Sequence, residues 1–186
     1  MLIVDDVLDR GITLAALVNF CRRAAAASVH TLVLVDKRCQ PEAAIEAIDL
    51  ALDALCFNWA VNRKPERLLY ASSSAAYPVD LQGKDGAVAL KESDIQFGGR
   101  LGQPDMTYGW SKLTGEYLAR IAHQHYGLHT ACVRPFSGYG EEQDLTYPVP
   151  SIALRAAKRE APLTVWGSGL QGRDFVHIDD CVEAIL

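Results

Sequence analysis

Short apolar, β-branched runs alternate with longer stretches of helical periodicity along this chain, and that alternation constrains its fold more than any other feature. Leu2-Ile3-Val4 reads as a strand, residues 5–13 as a polar loop around Gly11, residues 14–27 as an alanine-rich helix and residues 30–35 as a second strand. Residues 41–62 place Ala44, Ile45, Ile48, Ala51, Leu52, Leu55 and Trp59 at helical spacing until Arg63-Lys64-Pro65 breaks the pattern. Trp59 and Phe57 are expected in the core. Residues 67–71 and 129–133 read as further strands. Between them a helix from Tyr108 carries Leu113, Tyr117, Leu118, Ile121 and Ala122, and Gly127 stops it. Strands joined through helices pair in parallel, because the helical crossover returns the chain to the same end of the sheet. The expected class is α/β, a mostly parallel sheet with helices on both faces.

Composition removes several alternatives. The chain has 186 residues, 49% of them hydrophobic and 22% charged, which suits one α/β unit with a real core. A net charge of −5 leaves no electrostatic footprint for nucleic acid. The five cysteines are scattered and odd in number, so reduced thiols in a cytoplasmic protein are expected. The opening Met-Leu-Ile-Val-Asp-Asp turns acidic at once, unlike a signal peptide. No apolar run approaches the roughly 20 residues of a membrane span.

The chemistry gathers at Thr107-Tyr108-Gly109-Trp110-Ser111-Lys112. Tyr108 and Lys112 are four apart and share a helix face. An ammonium beside a phenol favours the phenolate, which makes the tyrosine a usable acid or base near neutral pH. A serine at the end of the strand before Tyr77 would complete the site by hydrogen-bonding a substrate oxygen. Ser72, Ser73 and Ser74 are the candidates. The competing structural reading is a serine-rich strand end whose hydroxyls satisfy loose backbone groups.

This YxxxK after a serine-ended strand resembles the NAD-dependent epimerase/dehydratase family of extended short-chain dehydrogenases/reductases. The resemblance continues through Val133-Arg134-Pro135-Phe136-Ser137-Gly138-Tyr139-Gly140 and Trp166-Gly167-Ser168-Gly169-Leu170-Gln171-Gly172-Arg173-Asp174-Phe175-Val176-His177-Ile178-Asp179-Asp180. It covers roughly residues 65–186, or about 45–186 at its widest, and implies a Rossmann-like fold, incomplete at both ends relative to the family. It further implies NAD as cofactor and a nucleotide sugar as substrate, oxidised transiently and then reduced. In that reading Ser73, Tyr108 and Lys112 are catalytic. Tyr108, Lys112, Pro135 and Asp36 border the cofactor, and Ser74, Ser137 and Arg173 border the substrate. Arg173 matches an arginine on the nucleotide pyrophosphate; its structural alternative is a salt bridge to Asp174 or Asp179. Ser74-Ala75 stands where 4,6-dehydratases carry an Asp-Glu pair, so the reaction is expected to be epimerase-like. A homodimer through the helices at 41–62 and 108–126 is also implied.

The opening departs from that family. Its GxxGxxG turn, which lets backbone approach a pyrophosphate, is absent. The equivalent loop, Asp5-Asp6-Val7-Leu8-Asp9-Arg10-Gly11, holds one glycine and three carboxylates. With Ile12-Thr13 it resembles the phosphoribosyl-pyrophosphate (PRPP) segment of purine phosphoribosyltransferases. Asp5 and Asp6 match the acidic pair, and Asp9, Gly11 and Thr13 match the phosphate loop, although Arg10 replaces a threonine. Residues 1–39 are therefore read as a phosphoribosyltransferase-like βαβ segment and 40–186 as a partial epimerase/dehydratase domain. Two rivals follow: a magnesium-dependent PRPP or nucleotide binder, and a catalytically silent interaction module. In the remainder, residues 148–159 read as a helix capped by Ser151 and residues 163–166 as a strand. Asp179 or Asp180 is expected to cap a last helix from Cys181, with His177 structural and no metal site.

Overall fold

The computed structural model describes residues 2–8, 30–36, 46–82, 88–165, 167 and 172–186, with side chains from residue 52 onward. Strands β1 (Leu2–Leu8), β2 (His30–Asp36), β3 (Leu68–Ala71) and β4 (Thr130–Val133) form a parallel sheet in the order β2-β1-β3-β4. The chain passes from β1 to one neighbour and later returns to its other side as β3. That reversal opens a crevice at the carboxyl ends of the strands, where α/β sheets place their ligands.

β1 is longer than expected. Asp5 and Asp6 lie within it, Asp5 opposite Val33, and pairing with β2 continues to Leu8 opposite Asp36. Pairing with β2 carries the backbone on past Val4, where pairing with β3 stops, and this outweighs the poor strand propensity of aspartate. Asp9, Gly11, Thr13 and the helix expected over 14–27 lie outside the described residues.

Helix α1 (Glu46–Arg63) packs Asp53, Cys56, Phe57 and Ala60 inward. Trp59, expected in the core, is 44% exposed. It sits about 200° around the helix from Phe57, so one contact face cannot bury both. Leu55 joins it on the outer face. Helix α3 (Met106–Tyr126) ends at Gly127, whose φ of 70° is left-handed and whose N–H returns to Ala122 and His123 carbonyls. One core joins Cys56, Phe57 and Ala60 to Leu68, Tyr70, Ala119, Ala122 and Leu128. A second joins Ala76, Tyr77, Ile95 and Leu113. Burial and the neighbouring Asp53 push the Cys56 thiol up to about 11, which keeps it protonated.

Two glycines set how closely α3 meets β3. A Cβ at Gly109 would lie 2.3 Å from the Ala75 carbonyl oxygen, and one at Gly115 only 2.0 Å from the Tyr70 hydroxyl. That hydroxyl crosses under α3 to donate to Asp53 Oδ2 at 2.7 Å. Gly115→Ala is expected to force Tyr70 off Asp53 and to cost roughly 1–3 kcal/mol by overpacking. A urea melt of the variant checks this; an unchanged midpoint counts against it.

Between β3 and α3 run a 3-10 turn at Ser74–Ala76, a short helix α2 (Val79–Gln82) and a second 3-10 turn at Glu92–Asp94. Beyond β4, β5 (Gly138–Tyr139) pairs in parallel with β6 (Val176–His177). Helix α4 (Pro148–Ala157) starts at the expected residue, but Tyr147 stands at the cap and Ser151 lies inside. Proline at the first turn pre-sets φ and needs no N–H partner, so it starts the helix ahead of the serine. Residues 163–165 are not a strand; the Thr164 carbonyl accepts instead from Arg155 Nη1 at 2.8 Å. Helix α5 (Ile178–Ile185) is capped by His177, whose Nδ1 accepts from the Asp179 N–H at 3.3 Å. Asp179 and Asp180 fall in its first turn, where their charge suits the helix dipole.

Candidate active site

β3 stops at Ala71, and the next residues turn across the carboxyl edge of the sheet. Ser73 caps the 3-10 turn Ser74–Ala76 by accepting from the Ala75 N–H at 3.2 Å. The start of α3 rests on this turn: the Asp105 N–H donates to the Ala75 carbonyl at 3.0 Å, and Gly109 allows the close approach. The turn carrying the serines and the helix carrying Tyr108 are thereby held together.

Lys112 is 3% exposed. Its Nζ donates to the Ala71 carbonyl at 3.0 Å and lies 5.6 Å from the Tyr70 ring centre and 5.5 Å from that of Tyr108. A buried ammonium needs compensation, which the carbonyl and the two π faces supply. Tyr108 lies outermost, 42% exposed. The tyrosine is therefore partly exposed while the charge beneath it stays sheltered.

The three serines have separate roles. Ser72 is buried, and its Oγ donates to Glu116 Oε1 at 2.5 Å. It is therefore committed to structure. Ser73 uses one lone pair on the turn, as the structural reading expected, and its hydroxyl donates to no acceptor among the described residues. The Ser74 N–H donates to the Pro135 carbonyl at 3.4 Å, which ties the turn to the loop after β4.

Beneath these residues lies an ion pair that the sequence pattern did not single out. Glu116, 4% exposed on its side chain, accepts from Arg134 Nε at 2.7 Å and Nη2 at 2.5 Å. The Arg134 guanidinium also lies 4.8 Å over the Tyr77 ring, which packs on Phe136. Burial works against the arginine charge, but the bonds to Glu116 and the support of Tyr77 more than offset it and raise its pKa above the ordinary arginine value. The available signal was Glu116's place four residues after Lys112, on the same helix face.

The structure brings Ser73, Ser74, Tyr108, Lys112 and the Pro135 carbonyl to one edge of the sheet. Ser137 follows in the same loop, half-buried. Asp36 ends β2 beside the end of β1; its side chain lies outside the description. Arg173 is exposed and makes no ion pair among the described residues, so the salt bridge to Asp174 or Asp179 is not formed. No cluster of potential metal ligands occurs among the described residues.

Residues 12–186 match the NAD dependent epimerase/dehydratase family. This chain belongs to that family. Its match begins well before residue 45, at Ile12, and takes in Thr13 of the PRPP-like segment. An uncharacterised UDP-glucose epimerase of Bacillus subtilis is 37% identical over 86 residues, 44% of this chain and 26% of that protein. GDP-mannose 3,5-epimerase of Arabidopsis thaliana is 32% identical over 125 residues, 65% of this chain and 32% of that protein. The alignments thus span about a quarter to a third of these relatives. Among solved structures, UDP-glucuronic acid 4-epimerase of Bacillus cereus superposes with a TM-score of 0.68 at 16% identity, covering 100% of this chain and 72% of that one. A dTDP-glucose 4,6-dehydratase of Streptomyces venezuelae gives 0.70 at 16% identity, covering 100% and 70%. At that identity the likeness shows the fold, a Rossmann-like one.

Proposed function

We propose that this chain carries the proton-transfer part of an NAD-dependent enzyme acting on a nucleotide sugar, epimerase-like in its chemistry. The observation that supports it most is the buried Lys112 ammonium 5.5 Å from the exposed Tyr108 ring. Tyr108 takes the proton of a sugar hydroxyl on its phenolic oxygen and later returns it. Lys112 favours the phenolate by its charge. Ser73 gives its free hydroxyl hydrogen to the sugar oxygen as that oxygen becomes a carbonyl. Ser137 and Ser74 offer further hydroxyls, and Arg173 offers a planar guanidinium for a diphosphate. Ser74-Ala75 has no carboxylate to eliminate water, which favours epimerisation over 4,6-dehydration.

The donor set suits the ribose end of NAD: an ammonium and a phenol on one helix face suit its hydroxyls, with Pro135 beside them. Asp36, at a strand end, suits the other ribose. Bound there, NAD would supply the hydride acceptor and donor. The pyrophosphate end fits less well, because the segment after β1 is Asp9-Arg10-Gly11 rather than a glycine-rich turn. Calorimetric titration with NAD tests the reading. Saturable binding that weakens roughly 10–100-fold in Lys112→Ala supports it, the loss expected for charge-assisted hydrogen bonds. Silence toward NAD overturns it. Binding of PRPP with magnesium, lost in Asp5→Ala, would move function to Asp5, Asp6, Asp9, Gly11 and Thr13.

The same reading includes a homodimer through α1 and α3. Leu55 and Trp59 are exposed on α1, and Trp110 and Tyr117 on α3, a large apolar display for two packed helices. Leu55→Asp is expected to turn a dimer into a monomer in sedimentation; a wild-type monomer would remove the idea. No described helix is long and apolar enough to cross a membrane. Cys56, Cys132 and Cys181 are free, which suits a cytoplasmic location; cell fractionation checks that.

A further inference from the structure

We propose that Glu116 is the positioning residue of this site: held by Ser72 and Arg134, it keeps the serine turn and the loop after β4 in place over Lys112 and Tyr108. Its consequence for chemistry rests on the proton-transfer reading above; the clamp itself stands on geometry.

Three elements meet at one carboxylate. Glu116 belongs to α3, one turn after Lys112. Ser72 is the first residue beyond β3, and Arg134 the first beyond β4. Lys112 and Glu116 grip the same strand end at consecutive residues, one at the Ala71 carbonyl (3.0 Å) and the other at the Ser72 hydroxyl (2.5 Å). The two strand ends are also joined, Ser72 N–H to the Val133 carbonyl at 2.8 Å and Ser74 N–H to the Pro135 carbonyl at 3.4 Å. A shift of Glu116 therefore carries Ser73, its cap on Ala75 and the Pro135 loop with it. Tyr77 closes the assembly from the far side of the turn, its ring 4.8 Å from the guanidinium.

Stability alone does not explain the arrangement. Burying a carboxylate and a guanidinium carries a desolvation cost, and well-packed apolar residues in such places often leave a protein as stable or more so. An apolar pair, however, has no directional bonds with which to set the register of the turn. The clamp supplies three, from Ser72 Oγ, Arg134 Nε and Arg134 Nη2.

The test separates stability from positioning. Full-length Glu116→Leu/Arg134→Met replaces the pair with apolar side chains. We expect its melting temperature to stay near wild type. Amide hydrogen exchange over residues 74–77, whose N–H groups bond within the turn and to Pro135, is expected to quicken at least tenfold. Wild-type exchange in a double variant of wild-type stability would overturn the proposal. Should the double variant not fold, Ser72→Ala keeps the ion pair and removes only the strand link. The same local quickening is expected there, and its absence overturns the proposal equally. Tyrosinate absorbance, with Tyr108→Phe as reference, follows the chemistry separately. A wild-type Tyr108 that titrates like free tyrosine would remove the proton-transfer reading, while exchange would still decide the clamp.

Discussion

Tyr108→Phe is expected to lower turnover of a nucleotide sugar by roughly 10²–10⁴-fold, the range removed with a positioned general acid or base, and to leave the fold intact. Tyr108 is 42% exposed, so removing one oxygen leaves no buried cavity. Phenylalanine also keeps a π face over Lys112, so the buried ammonium retains that support. The expected pattern is a fall in kcat with little change in KM and a melting curve within about 0.5 kcal/mol of wild type. Turnover that survives in Tyr108→Phe would show that another group moves the proton, with Ser73 the first to examine. A variant that fails by melting early would mean that the tyrosine packs rather than reacts.

Arg134→Met alone is expected to be strongly destabilising. It leaves Glu116, 4% exposed, with the Ser72 hydroxyl but without its counter-charge. Breaking a buried pair from one side costs about 3–5 kcal/mol. For a chain of this length that lowers the melting temperature by roughly 6–20 °C. Adding Glu116→Leu should restore most of the loss, because the remaining cost is the stranded charge and not the missing contact. Calorimetric melts of the two single variants and the double form a cycle. Additive losses, with no recovery in the double, would show that the two side chains are not coupled.

Much of the architecture was legible because its signals are local. Short apolar, β-branched runs and helical stripes located β2, β3, β4, α1 and α3 within a few residues, and Gly127 ended α3 where its freedom at positive φ is needed. Tyr108 and Lys112 could be paired from their spacing alone. The misses have a common cause. Trp59 and Phe57 both look like core residues, yet a helix with two apolar faces does not say which one the sheet will cover. Asp5 and Asp6 read as loop because strand propensity is weak beside the pairing that β2 offers as far as Leu8. Ser151 and Asp179 were plausible caps, but Pro148 and His177 began their helices sooner.

What the sequence determined by itself is the class of fold, the order of its elements and the tyrosine and lysine on one helix face, all set by neighbours within about a turn along the chain. Tertiary structure decided which serine is taken up by the framework. Ser72, Ser73 and Ser74 are indistinguishable as a string. Only the approach of Glu116, 44 residues away, removes Ser72 from the candidates. Arg134, 18 residues from Glu116, supplies the charge that lets the carboxylate sit there buried. Such pairings join side chains on different elements, so they exist only once the sheet has brought the ends of β3 and β4 beneath α3.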